Sequence, residues 1–206
     1  MKNLLIINSS PRHNSVSRRL TRHYAEQWKA QNPEGQIRER DLAADPPPFV
    51  TNAWIEAIYT PVDQLTTEQK KLLSFSDTLI QELLDADEIV LGVPMHNFSI
   101  PATLKAWIDL VTRRGKTFRY GSNGPAGLIP SDKKVIAIVS QGGTYGEGSP
   151  IDFQVPYLRH MLAFIGLTDA TVVHADRQAF GPDVAEQSVD HAIRRLSAPV
   201  AGHAAA

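Results

Sequence analysis

Hydroxyl groups crowd the segment Ser9-Ser10-Pro11-Arg12-His13-Asn14-Ser15-Val16-Ser17, which directly follows an apolar run from Leu4 to Asn8. A helix opening near Ser15 would aim its free first-turn N–H groups, and the positive end of its dipole, at this segment. Ser9, Ser15 and Ser17 are therefore candidate hydroxyl ligands for a phosphate held, together with peptide groups of the helix start, without a cation. The same residues also describe a capped helix and an ordinary turn, and alone they do not choose. Neither G-x-G-x-x-G nor G-x-x-x-x-G-K-[ST] occurs here, so a dinucleotide turn and a nucleotide P-loop are not indicated.

Two further loops carry residue types of the same bearing. Pro94-Met95-His96-Asn97-Phe98 is stiffened by Pro94 and Pro101; it can lay peptide N–H groups beside the polar edge of a flat ring while Met95 and Phe98 cover the ring's face. The alternative is a rigid connection with both apolar side chains in the core. Ser140-Gln141-Gly142-Gly143 offers paired glycines, which permit close backbone approach to a planar ligand, and Tyr145 stands ready to pack over it. Gly-rich strand ends are also common as plain flexible connections.

The elements that would position these loops follow from the apolar pattern. Short runs rich in Val, Ile and Leu, at Leu4 to Asn8, Glu88 to Val93, Val135 to Ser140 and Thr171 to His174, suit parallel strands buried on both faces. Gln36 to Leu42 is polar enough for an edge strand. Helical spacing marks Ser15 to Ala30, Thr66 to Leu84 with a capping box at Thr66-Thr67-Glu68-Gln69, Pro101 to Val111, Val155 to Phe164 and Asp183 to Leu196. Asp45 to Pro48 and Gly121 to Pro130 read as loops, and Ala198 to Ala206 as a frayed tail. Strand and helix in alternation give an α/β doubly wound parallel sheet of five strands, of flavodoxin-like order 2-1-3-4-5. In that architecture a ligand sits beyond the carboxyl ends of the strands, so the three loops fall on one edge.

With 206 residues, 42% of them hydrophobic, the chain is expected to form a single domain over 1–206. A formal net charge of -1 offers no field to gather nucleic acid or an anionic membrane, and the expected partner is a small molecule or another chain. Zero cysteines exclude a disulfide framework, a thiolate nucleophile and a cysteine-ligated metal. His13, His23, His160, His174, His191 and His203 lack metal-site spacing, and no metal is expected. Met1 to Ile7 reads as a strand and not a targeting segment, and no apolar stretch approaches the ~20 residues that span a bilayer, so a soluble, cytoplasmic protein is expected.

The stretch from Pro94 through Tyr120, P-M-H-N-F-S-I-P-A-T-L-K-A-W-I-D-L-V-T-R-R-G-K-T-F-R-Y, closely resembles the signature region of bacterial FMN-dependent NADH azoreductases within the flavodoxin-like NAD(P)H:quinone oxidoreductases. The first-loop pattern S-S-P-R-x-x-S-x-S and the later S-x-G-G resemble that family too, in register over nearly the whole chain. The resemblance implies an FMN phosphate on Ser9, Ser15, Val16 and Ser17, and a flavin ring along Pro94, Met95, His96, Asn97 and Phe98 and against Ser140, Gln141, Gly142 and Gly143. It implies two-electron, ping-pong reduction of quinones or azo compounds by NADH or NADPH, in a homodimer with Trp54 to Pro61 and Lys116 to Tyr120 near the partner subunit. Tyr120 and Tyr145 are candidate substrate-pocket residues, and Trp54 a candidate for the site's rim. His96 stands where tyrosine is frequent and is the candidate proton donor, imidazole being the side chain that titrates nearest neutrality. Gln141 puts a neutral amide where arginine is common. Lys105, Arg113, Arg114, Lys116 and Arg119 form a basic cluster that either attracts a nucleotide phosphate or is a solvated helix end. The alternatives are a flavodoxin-like electron carrier and a regulatory flavoprotein with little turnover.

Overall fold

A computed structural model describes residues 1–146 and 148–197; the tail expected to fray, 198–206, lies outside the described residues. Its elements run β1 Asn3–Asn8, α1 Val16–Gln31, β2 Gln36–Asp41, α2 Asn52–Tyr59, a 3-10 turn Val62–Gln64, α3 Thr67–Asp85, β3 Glu88–Pro94, α4 Ala102–Val111, β4 Phe118–Gly121, β5 Gly124–Gly127, β6 Lys134–Ser140, α5 Val155–Phe164, β7 Ala170–Ala175 and α6 Pro182–Ser197.

Five strands pair in parallel in the order β2-β1-β3-β6-β7. The expected order 2-1-3-4-5 takes these labels because an antiparallel hairpin, β4–β5, intervenes between the third and fourth strands of the sheet. That hairpin replaces the loop expected over Gly121 to Pro130. Its glycines and proline carry no strand propensity, and its pairing rests on backbone bonds on either side of Ser122-Asn123. The other addition is α2, capped by Thr51, whose hydroxyl accepts from the Trp54 N–H.

Side chains alternate across each central strand and so build two cores. Leu5, Ile7, Ile89, Leu91, Val135 and Val139 pack with α3, α4 and α5. Leu4, Ile6, Val90, Ile136 and Ile138 pack with α1 and α6. The polar β2 is an edge strand, its Arg40 paired with the buried Glu82 of α3. At the Thr66 cap both arms of the capping box form.

The hairpin is fastened to the end of α5. Leu167 N–H reaches Leu162 C=O and Gly166 N–H reaches Ala163 C=O, a Schellman closure that places Gly166 at φ 112°. A Cβ on Gly166 would stand 2.3 Å from the Ile129 carbonyl oxygen, and Ile129 N–H bonds Ile165 C=O. Both conformation and space therefore demand glycine there. Gly166→Ala is expected to cost upwards of ~2 kcal/mol in urea unfolding, through backbone strain and displaced neighbours. Gly121→Ala, whose Cβ would meet only the Gly124 carbonyl oxygen at 3.7 Å, an ordinary contact, is expected to stay within about 0.5 kcal/mol.

Candidate functional site

At the carboxyl edge of the sheet the first loop is tightly held. Ser9 uses both its N–H and its hydroxyl on the Gly92 carbonyl of β3, at 3.2 and 2.8 Å. Asn8 accepts from the Thr21 hydroxyl at 3.0 Å and donates to Glu39. Gly92 makes this packing possible, because a Cβ there would lie 2.7 Å from Asn8 Oδ1 and 2.9 Å from Thr21 Cγ2. Ser15 caps α1 as expected, accepting from Arg18 N–H, and its oxygen lies 3.3 Å from that of Ser17. The N–H groups of Val16 and Ser17, in the first turn, have no intrahelical acceptor. Of the four expected phosphate ligands, Ser15, Val16 and Ser17 thus present free donors together, whereas the Ser9 hydroxyl is spent on β3.

Arg18, which composition did not mark out, organises this loop. Its guanidinium donates twice to the Ser10 carbonyl, at 3.1 and 2.7 Å, and once to Asp41 at 2.6 Å. One side chain therefore joins the loop, α1 and the end of β2. The hydrogen bond from Arg18 is the largest influence on Asp41 and, with the Ala43 and Ala44 N–H groups, holds its carboxyl below the usual range against a smaller effect of burial.

The second loop is a two-residue hairpin. His96 and Ser99 exchange N–H to C=O bonds of 2.9 and 3.1 Å, and Asn97 and Phe98 between them both take positive φ, 49° and 69°. This is a type I′ turn, strained at Phe98 because an aromatic residue rarely adopts it. Phe98 is 48% exposed and Met95 half-buried, so the hairpin's apolar side chains lie on the surface and not in the core. Among the described residues no acceptor engages the Asn97 or Phe98 N–H. His96 is exposed beside a cleft of about 460 Å³ that also meets Ser99, Ile100, Lys105 and Tyr157.

Met95 N–H bonds the Ser140 carbonyl at 2.8 Å and so joins this hairpin to the third loop. There the carbonyls of Gln141, Gly142 and Gly143 accept from Gln178, Ala179 and Arg177, while the Gly142 and Gly143 N–H groups have no acceptor among the described residues. The Gln141 side chain does not face the ligand edge. It is 1% exposed and turned inward, donating to Gln154 at 3.0 Å, with His174 Nδ1 3.4 Å from its oxygen. A buried neutral amide, it presents no charge at that edge. Tyr145 folds back toward Gly143 and meets Phe98 edge-on at 6.3 Å, within the expected site.

Tyr120 does not join these loops. It is 64% exposed on the β4–β5 hairpin, edge-on to Phe118 and under Arg114. Trp54, expected at the rim, is buried in the core beneath α2, because the helix missed by sequence turns that residue inward. Of the basic cluster, Lys105 pairs with Asp109, Arg113 and Lys116 share Asp77, and Arg114 lies over the Tyr120 ring.

Unused first-turn N–H groups and serine hydroxyls at one loop, and unused peptide N–H groups beside exposed apolar side chains at two others, fit a ligand that couples a phosphate to a planar polar ring. FMN has that constitution.

Comparison with known proteins points the same way. A family model described as a flavodoxin-like fold matches residues 2–200. An FMN-dependent NADH:quinone oxidoreductase of Nostoc sp. is 44% identical over 205 residues, covering 98% of this chain and 99% of the relative. One from Herminiimonas arsenicoxydans is 46% identical over 186 residues, covering 89% and 91%. Among solved structures, azoreductase from Bacillus anthracis str. Sterne superposes with a TM-score of 0.86 at 30% identity, covering 95% and 97%. An FMN-dependent NADH-azoreductase from Bacillus anthracis str. Ames Ancestor, in complex with FMN, superposes at 0.85 with 26% identity, covering 96% and 98%.

The Arg18 contacts carry a pH signature. Because the folded-state pKa of Asp41 is depressed, its ion pair contributes fully above the unfolded value of about 3.9 and is lost as pH falls through the lower folded value. Arg18→Met is expected to lose about 2 kcal/mol of stability at pH 7. Urea unfolding across pH 2 to 7 should show that loss shrinking only below about pH 4.

Proposed function

Because the chain belongs to the flavodoxin-like family of FMN-dependent NADH:quinone oxidoreductases, we propose that it is an enzyme reducing quinones and azo compounds with electrons from NADH or NADPH. The observation that carries the reading is the convergence of free donors from the loops after β1, β3 and β6 at one sheet edge. FMN, when bound by these residues, would supply the two-electron chemistry that couples the nicotinamide to the acceptor.

The residues of the chain bind, orient and polarise. The Val16 and Ser17 N–H groups and the Ser15 and Ser17 hydroxyls would hold the phosphate, favoured by the dipole of α1. The Asn97, Phe98, Gly142 and Gly143 N–H groups would face the polar side of the ring and favour the negative charge that reduction adds, as fixed dipoles do without reorganising. Pro94 and Ser140, paired in register at the strand ends, set the spacing of the two loops, and Met95, Phe98 and Tyr145 would exclude water from the ring. His96, exposed at the hairpin and making no side-chain hydrogen bond among the described residues, is the candidate to deliver a proton to the reduced acceptor.

We read the chain as a single domain over 1–206 that works as a soluble, cytoplasmic homodimer. Exposed Phe49, Ile55, Tyr59 and Val62 around α2, and Tyr120 on the hairpin, support a partner there, and Tyr120 would then serve the partner's pocket.

Purified protein supplied with FMN is expected to show flavin absorption bands and to oxidise NADH directly, which a pure electron carrier would not do. Double-reciprocal plots against a quinone should be parallel; converging lines would contradict the exchange of donor and acceptor in one pocket. Ser15→Ala and Ser17→Ala should each raise the FMN dissociation constant by roughly 10-fold or more, read by fluorescence titration, since each removes a hydrogen bond to a charged group.

A further inference from the structure

Beyond Pro94 and Ser140 the strands β3 and β6 part, and among the described residues only the Met95 to Ser140 bond still ties their loops backbone to backbone. Gln141 N–H turns to Ala175 of β7, while the hairpin at Asn97 and Phe98 closes on itself through His96 and Ser99. The short segment 152–154, just before α5, spans the divergence. Its Phe153 N–H bonds the Phe98 carbonyl at the hairpin tip, at 3.0 Å. Gln154 Nε2 bonds the Val93 carbonyl at the hairpin root, at 3.0 Å, and Gln154 Oε1 accepts from Gln141 Nε2 at the root of the other loop, at 3.0 Å. The Asp152 carboxylate accepts from the Gln154 N–H at 2.8 Å and fixes where that side chain begins. Gln141 is 1% and Gln154 0% exposed, and neither amide reaches solvent.

We propose that the buried pair Gln141 and Gln154 is a positioning element that sets the separation of the two ring-binding loops, and through it the flavin's preference for its reduced state. The inference rests on the reading that these loops hold FMN. A carboxamide both donates and accepts, so Gln154 can bridge a backbone carbonyl on one loop and a side chain on the other, which no apolar residue does. The N–H groups carried by those loops stabilise added charge only while held in place, and their loosening weakens binding of the reduced ring more than of the oxidised ring.

The decisive variant is the double replacement Gln141→Leu with Gln154→Leu, which removes both amides together, so that neither is left buried without the other, and takes from the Val93 carbonyl and His174 Nδ1 one contact each, at a modest cost apiece. The apoprotein should unfold within a few degrees of the wild type. Affinity for reduced FMN should fall about 10-fold more than affinity for oxidised FMN, which lowers the midpoint potential by ~30 mV for a two-electron couple. Gln154→Met, which keeps the length and loses the bridge, should shift the potential in the same direction and serves if the double variant does not fold. Wild-type potential and wild-type FMN affinity in a folded variant would overturn the inference while leaving the function intact. A wild-type protein that takes up no FMN would overturn both.

Discussion

Everything at the functional edge depends on one constraint: a parallel sheet buried on both faces must satisfy its last peptide groups without water. Here side chains and loop N–H groups from elsewhere do so. Ser9 closes on Gly92, Arg18 on Ser10, Gln154 on Val93, and Met95 on Ser140. Because the strand ends are bonded in this way, the loops leaving them are held at their roots and keep only their tips free. The donors at those tips, at α1, at the β3 hairpin and at the paired glycines, are therefore fixed in direction before any ligand arrives.

The central sheet was legible because burial on both faces leaves continuous apolar runs, and β1, β3, β6 and β7 lie within two residues of where those runs begin and end. The polar β2 was legible for the opposite reason, as an edge. Helix α2 escaped because its eight residues bury only Trp54 and Ala57, too few to show a period. Its one readable signal was Thr51 ahead of an apolar stretch. The β4–β5 hairpin escaped because only its first strand, with Phe118 and Tyr120, has strand-forming residues, while the Gly-Pro-Ala-Gly of β5 carries no such signature.

Within the site, what could be read were local features: the Ser15 cap, the prolines of the β3 loop and the paired glycines. What could not be read were contacts made across the fold. Arg18 is unremarkable in a helix until Asp41, at the end of a different strand, is brought beside it. Gln154 becomes significant only where Val93 and Gln141 converge on it. Gln141 itself is the instructive case, since sequence position put it at the ligand edge while packing turned its side chain inward. Backbone placement follows from motif register, but side-chain direction follows from neighbours that register does not name.

The distribution of charge follows from the same closure. Arg18 and Lys105 are each paired with a carboxylate, whereas Arg12, exposed in the first loop, makes no ion pair among the described residues. At the tips of the loops after β3 and β6 the free donors are peptide dipoles, weaker singly than an ammonium group but fixed in place. A cation on a flexible stem would bind a reduced, negatively charged ring strongly, but it would have to be ordered for the purpose and would shift with ionic strength. Dipoles at strand ends and in a strained type I′ turn need no ordering. On this view the cost of holding Phe98 at a positive φ, on the order of 1 kcal/mol, is offset by a donor that is already aimed when the charge appears.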